Sequence, residues 1–276
     1  MDAPNTDENL TFDPVEITER FFTVIKSLNE FDKLEVRGVV NTLVMPKDRD
    51  VCIKGCYLRA YANVESILVL KRTSDVQAIA MIARTLLELA VDLKLMNTET
   101  DSVKKMLAFV DVEKLRSARR ISQFKKDHPS AIVDEAYEKF ADSEGTRIDA
   151  ERALLWPGVK NSDLKHWAHL NMAQRAKRIN GELEELYAVY YSQLSLYVHS
   201  GMTGVVNLQK ETFRAIAGVA FNIIIKSYIA IMAFVIEEYK ISKANEKIRE
   251  KMDLARTLPF TSSQQEADAL TRALLG

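Results

Sequence analysis

Apolar residues recur at three- and four-residue intervals along most of this chain, and no run alternates convincingly with a period of two. That spacing predicts amphipathic helices and not strands. Residues 1–13 are polar and acidic and read as a disordered lead. Asp13-Pro14 starts the first helix, with proline where its missing N–H costs nothing. Ile17, Phe21, Phe22, Val24, Ile25 and Leu28 give that helix an apolar side. Residues 31–49 are mixed, and Pro46-Lys47-Asp48 breaks them. Longer helices are predicted over about 50–72 and 75–96. The segment 99–128 is amphipathic, with Val103, Leu107, Val110 and Leu115 on its apolar side, and His128-Pro129 ends it. Residues 130–155 read as a more acidic, solvated helix with a break near Gly145, followed by a Trp156-Pro157-Gly158 turn. Another helix runs from about 183 to 200 and stops at Gly201. The last long helix covers about 208–251. Its stretch from Ala215 to Ile236 is apolar apart from Asn222, Lys226, Ser227 and Tyr228. Leu258-Pro259 breaks the tail, and residues 264–275 form a short amphipathic segment suited to docking on the body or on a partner.

These elements predict an all-α protein: a single helical bundle of about 7–9 helices with long central helices, spanning residues 14–255, with residues 256–276 as a tail. Composition agrees. Only 9 Gly and 6 Pro in 276 residues leave few obligatory turns, and 47% apolar with 28% charged residues is ordinary for a soluble globular protein. The 215–236 stretch has the length of a membrane span. Lys226 in its middle is costly in lipid, so a buried core helix is expected and no stable membrane insertion. The N-terminus lacks the basic and apolar regions of a signal peptide. Cys52 and Cys56, one helical turn apart, read as reduced thiols in the cytoplasm and not as a disulfide framework.

The net charge of −1 gives no global field toward nucleic acid, so any basic patch must be local. Two segments could build one. Lys104, Lys105, Lys114, Arg116, Arg119, Arg120, Lys125 and Lys126 lie on the 99–128 helix, and residues 165–178 carry four cations with His166 and His169 and no acid. The two histidines could share a ligand, but no carboxylate motif accompanies them, and no metal or cofactor is expected.

Two polar stripes on otherwise aliphatic helices are the best candidate chemistry. On the 75–96 helix Gln77, Arg84, Glu88 and Asp92 project within roughly 80° of each other at 100° per residue. Arg84 and Glu88 are spaced to pair. On the 183–200 helix, Tyr187, Tyr191, Ser195 and His199 follow one another by fours, with Glu184 on the same side. His199 could be a general acid/base, since an unperturbed histidine titrates near neutral pH. Tyr191 and Ser195 could bind or position a substrate, as could Arg59, which shares a helical stripe with Asn63 and Ser66.

The aliphatic helix with Ala83-Arg84-Thr85-Leu86-Leu87-Glu88, the Trp156-Pro157-Gly158 turn, and Tyr191-x-x-Leu194-Ser195-x-x-Val198-His199-Ser200 together resemble the bacterial domain-of-unknown-function family 5677, over roughly residues 50–240. A looser similarity is to HEPN proteins, helical domains common in toxin–antitoxin and phage-defence systems, many of them metal-independent ribonucleases. Their motif sets an arginine four to six residues before a histidine on one helix. Here those positions hold Gln193, Leu194 and Ser195, so Arg84 would have to supply the cation from another helix. The resemblance implies RNA cleavage with His199 as acid/base, Arg84 on the phosphate and Glu88 orienting Arg84. The competing expectation is a non-catalytic binding or oligomerisation protein whose polar stripes specify helix packing, working as a homo-oligomer or with a partner protein.

Overall fold

The computed structural model describes residues 14–44, 47–70, 75–198, 210–257, 269–270 and 272–273. The expected lead, the turn after His199 and nearly all of the 264–275 segment lie outside them.

The protein is an all-α bundle. Among the described residues nine continuous helices follow one another. They are α1 (14–42), α2 (Asp48–Leu70), α3 (Val76–Leu95), α4 (Ser102–Asp127), α5 (Ala136–Leu155), α6 (Met172–Ile179), α7 (182–198), α8 (Lys210–Glu238) and α9 (Ser242–Thr257). The bundle divides into two compact units. One comprises residues 1–44, 54–93 and 180–276, and the other residues 45–53 and 94–179.

The larger unit is built on α8. Phe221, Ile224, Tyr228, Ile231 and Val235 are buried almost completely. Burying each such side chain is worth about 1.5–3 kcal/mol. The helix has the length and apolarity of a membrane span, yet most of that stretch is covered by the protein itself. Its Lys226 ammonium reaches Glu182 at 3.4 Å. Helix α1 packs along α8 through the predicted Phe21, Val24, Ile25 and Leu28. Phe21 stacks on Phe221 at 5.4 Å, and Phe22 meets the same ring edge-on at 4.9 Å.

Two helix boundaries differ from the sequence expectation. Helix α1 runs on into the 31–49 stretch that reads as mixed. It continues to Thr42 through a wide π turn at Asp32–Arg37. The long 208–251 helix is two helices, because Lys240 adopts a left-handed φ of 52°. The Ile241 amide bonds the Ile236 carbonyl at 3.0 Å and the Lys240 amide bonds that of Glu237 at 3.2 Å. This is the two-bond Schellman cap of a helix C-terminus, with Ile241 and Ile236 both buried beside it.

In the smaller unit α4 and α5 form an antiparallel hairpin. Its core gathers Ala108, Val112 and Leu115 from α4, Ile148 from α5, and Trp156 and Leu164 beyond. The buried side of α4 is therefore rotated from the predicted one. Leu115 is shared, whereas Val110 is exposed. Small side chains decide this face. Ala108 and Ala118 line α4, and Gly145 of α5 lies against Leu115 and Arg119, so that an added Cβ would meet the Arg119 guanidinium at 3.2 Å. Helix α5 runs unbroken through Gly145 for the same reason. The Trp156 indole donates to the Trp167 carbonyl at 2.8 Å and ties the turn down.

Candidate functional site

Within the larger unit, α3 and α7 bring the two predicted stripes into contact. Arg84 donates from Nη2 to the Tyr191 hydroxyl at 2.8 Å, and that hydroxyl donates to Glu88 Oε1 at 2.6 Å. The Arg84 guanidinium carbon also lies 4.5 Å from the centre of the Tyr191 ring. The expected Arg84–Glu88 pair is thus joined through a phenol from another helix. Tyr191 sits in a π turn, Tyr187–Tyr191, with the Tyr187 ring 5.0 Å away. Such turns widen a helix locally and reposition the side chains they carry. Burial holds the Tyr191 hydroxyl above its usual pKa. The Glu88 bond adds to that rise and Arg84 works against it. The phenol therefore stays neutral, able to donate and accept at once.

The remaining candidates are distributed differently. Ser195 is half-buried one turn beyond Tyr191 and donates to the Tyr191 backbone carbonyl at 3.3 Å. Arg59 is exposed on α2 and joins none of these three side chains in the described structure; its carbonyl accepts from the Asn63 amide at 2.7 Å. Gln77 is exposed, and Asp92 is half-buried farther along α3. His199 lies outside the described residues.

A second polar centre was not predicted. Asp32 is fully buried at the start of the α1 π turn. Its Oδ1 accepts from the Tyr57 hydroxyl at 2.7 Å and its Oδ2 from the Tyr228 hydroxyl at 2.8 Å, which ties α1, α2 and α8 together. Desolvation raises the carboxyl from 3.8 to about 6, against the pull of the two phenols and of Arg37 and Lys33. Burial and the Asp32 charge push both tyrosines up in turn. Beside it Arg37 bonds the Tyr61 hydroxyl and stacks on that ring at 4.1 Å. Glu65 bridges Asn29 and Lys33, the latter at 3.0 Å, and the Lys33 bond, then that of Asn29, lowers its pKa. The sequence did carry a signal. The apolar stripe Phe21, Ile25, Leu28 reaches position 32 at the same spacing, and an aspartate stands there. Asp32 itself is sealed from solvent, and its two phenol bonds clasp α1, α2 and α8 together.

In the smaller unit His166 packs between Phe109, at 6.3 Å, and Trp167, at 5.2 Å. Its Nδ1 accepts the Ala168 amide at 3.2 Å, which closes a local turn. Cys52 is buried, and burial pushes its thiol up; Cys56 is half-buried. Among the described residues no three His, Cys, Asp or Glu side chains gather in a metal-binding arrangement.

An all-α bundle with an arginine–tyrosine–glutamate centre on two touching helices is the class of protein this architecture defines. The chain belongs to the family of unknown function DUF5677, which matches residues 50–212. That range includes Arg84, Glu88, Tyr191, Ser195 and His199, whereas Asp32 and Tyr228 fall outside it. No match is found among curated proteins or among solved structures.

Proposed function

We propose that this protein is a HEPN-like, metal-independent ribonuclease, acting in the cytoplasm in phage defence or as a toxin, as a homo-oligomer or with a partner protein. The observation that carries the reading is the contact between Arg84 and Tyr191. It joins the only strongly polar stretch of α3 to the helix whose polar stripe includes Ser195 and, in sequence, His199. RNA carries its own nucleophile in the 2′-hydroxyl. Cleavage then needs a base for that proton, an acid for the departing 5′ oxygen, and a cation on the phosphate. An unperturbed histidine titrates near neutrality, which suits the side-chain type at position 199 to the proton transfers. Arg84 has the planar, always-charged group that suits a phosphodiester. Glu88, acting through Tyr191, would orient it, and Ser195 and Arg59 would contact the substrate.

One observation favours the competing reading of a non-catalytic interaction protein. The Tyr191 hydroxyl accepts from Arg84 and donates to Glu88, a hydrogen-bonded chain of the kind that specifies helix packing. Replacing His199 with alanine and following an RNA substrate by gel separates the two. The ribonuclease reading expects product formation to fall by at least about a hundredfold, in keeping with loss of a general acid–base group. Unchanged cleavage, or none by the wild-type protein, removes it.

A further inference from the structure

We infer that the smaller unit carries a binding groove for the phosphodiester backbone of single-stranded RNA, built where its two basic segments meet. The inference extends the RNA-directed reading but rests on different residues and on no catalytic step. The groove lies between α4 and the loop that follows the Trp156 turn, and its volume is about 500 Å³. Arg116, Arg119 and Arg120 line it from one face of α4, at i, i+3 and i+4, and Lys165 lines it from the loop.

The charge balance of this groove is unlike that of the chain. Four cations line it against one carboxylate, Glu113, in a protein whose net charge is −1. Glu113 is taken up by Arg116. Arg119 reaches Asp149, at 2.6 Å, on the neighbouring helix. Arg120 donates to the Arg116 carbonyl at 3.4 Å and has no carboxylate partner among the described residues; neither does Lys165. Asp163, two residues before Lys165, keeps its charge while accepting the Ser162 hydroxyl at 2.9 Å, but it does not line the groove. The lining itself therefore carries an excess of positive charge, centred on Arg120 and Lys165, which draws an anion there.

The groove is also built and not merely a row of solvated side chains. Arg116 is largely buried: its Nε donates to the Asn161 side chain at 2.9 Å and its Nη2 to the Asn161 backbone carbonyl. These bonds fasten the loop to α4 and fix the spacing between Lys165 and the arginines. Lys126 follows on the Arg119 face at i+7, whereas Lys125 turns away to donate to the Pro129 carbonyl at 3.0 Å. A line of cations along a helix fits a chain of phosphates better than one isolated anion.

The test is binding of a fluorescein-labelled single-stranded RNA to the full chain, by anisotropy over a salt series. Wild type is compared with an Arg120→Ala/Lys165→Ala double variant. A Lys104→Ala/Lys139→Ala variant loses the same charge from lysines paired with Asp101 and Glu135. All four residues are half-exposed or more, so the fold should persist, which circular dichroism checks. The groove variant should bind at least tenfold more weakly, with a shallower salt dependence: each lost phosphate contact removes about 0.7 from the log–log slope. The control should bind like wild type. Inorganic phosphate at millimolar concentration should not displace the RNA at constant ionic strength. Displacement would mean a small-anion site instead. No binding by wild type, equal binding by the groove variant, or equal loss in the control overturns the inference. Binding without cleavage removes the ribonuclease reading and leaves the groove. Cleavage with full binding in the groove variant does the reverse.

Discussion

Asp32 shows how much a single residue can cost and hold together. Its carboxyl titrates near 3.8 unfolded and about 6 folded. Between those values the folded state keeps a proton that the unfolded chain has released. Stability contributed by this group is therefore greatest at low pH, falls as pH rises from about 4 to about 6, and is flat above. A two-unit difference corresponds to about 3 kcal/mol. Asp32→Asn keeps the side-chain shape and removes the titration. The difference in urea midpoint between wild type and variant should shift in favour of the variant across that window and then level off. A difference that does not change with pH would mean Asp32 titrates normally. The Arg84, Glu88 and Tyr191 stripes were legible because each polar group interrupts an aliphatic helix at regular spacing. Asp32 was harder to see, because its partners stand 25 and 196 residues away and no local pattern connects them.

At the scale of elements, hydrophobic spacing located most helices and the caps decided their ends. The stop between α8 and α9 was invisible because a lysine occupies the left-handed position usually given to glycine. Lys240→Gly should relieve the steric cost of that conformation and stabilise the protein by about 1 kcal/mol, read as a higher melting temperature. A lower one would show that the lysine side chain contributes more than its backbone costs. The buried side of α4 was misjudged for a related reason. Its larger apolar residues point to one face, but alanines and the facing Gly145 permit a closer approach on another. Periodicity reports which residues are apolar, whereas packing also depends on where backbones come near each other. The π turns at Asp32–Arg37 and Tyr187–Tyr191 likewise have no sequence signature, although Asp32 and Tyr191 lie in them.

For the whole molecule, the all-α class followed from scarce glycine and proline and from helical spacing throughout. The division into two compact units did not. Its boundaries near residues 53 and 93 fall inside α2 and α3, so no flexible linker marks them; the one near 44 follows the end of α1, and the one near 180 coincides with a turn, Asn180-Gly181. The division also sorts the candidate chemistry. The arginine–tyrosine–glutamate centre and the Asp32 clasp belong to the larger unit and the cationic groove to the smaller. The central claim is that the first of these acts on RNA and is more than a packing device. Arg84→Ala tests it most directly when RNA cleavage and melting temperature are measured on the same preparation. The account predicts that cleavage falls by at least about a hundredfold while the melting temperature drops by no more than a few degrees. Cleavage at the wild-type rate in a folded Arg84→Ala protein would contradict it.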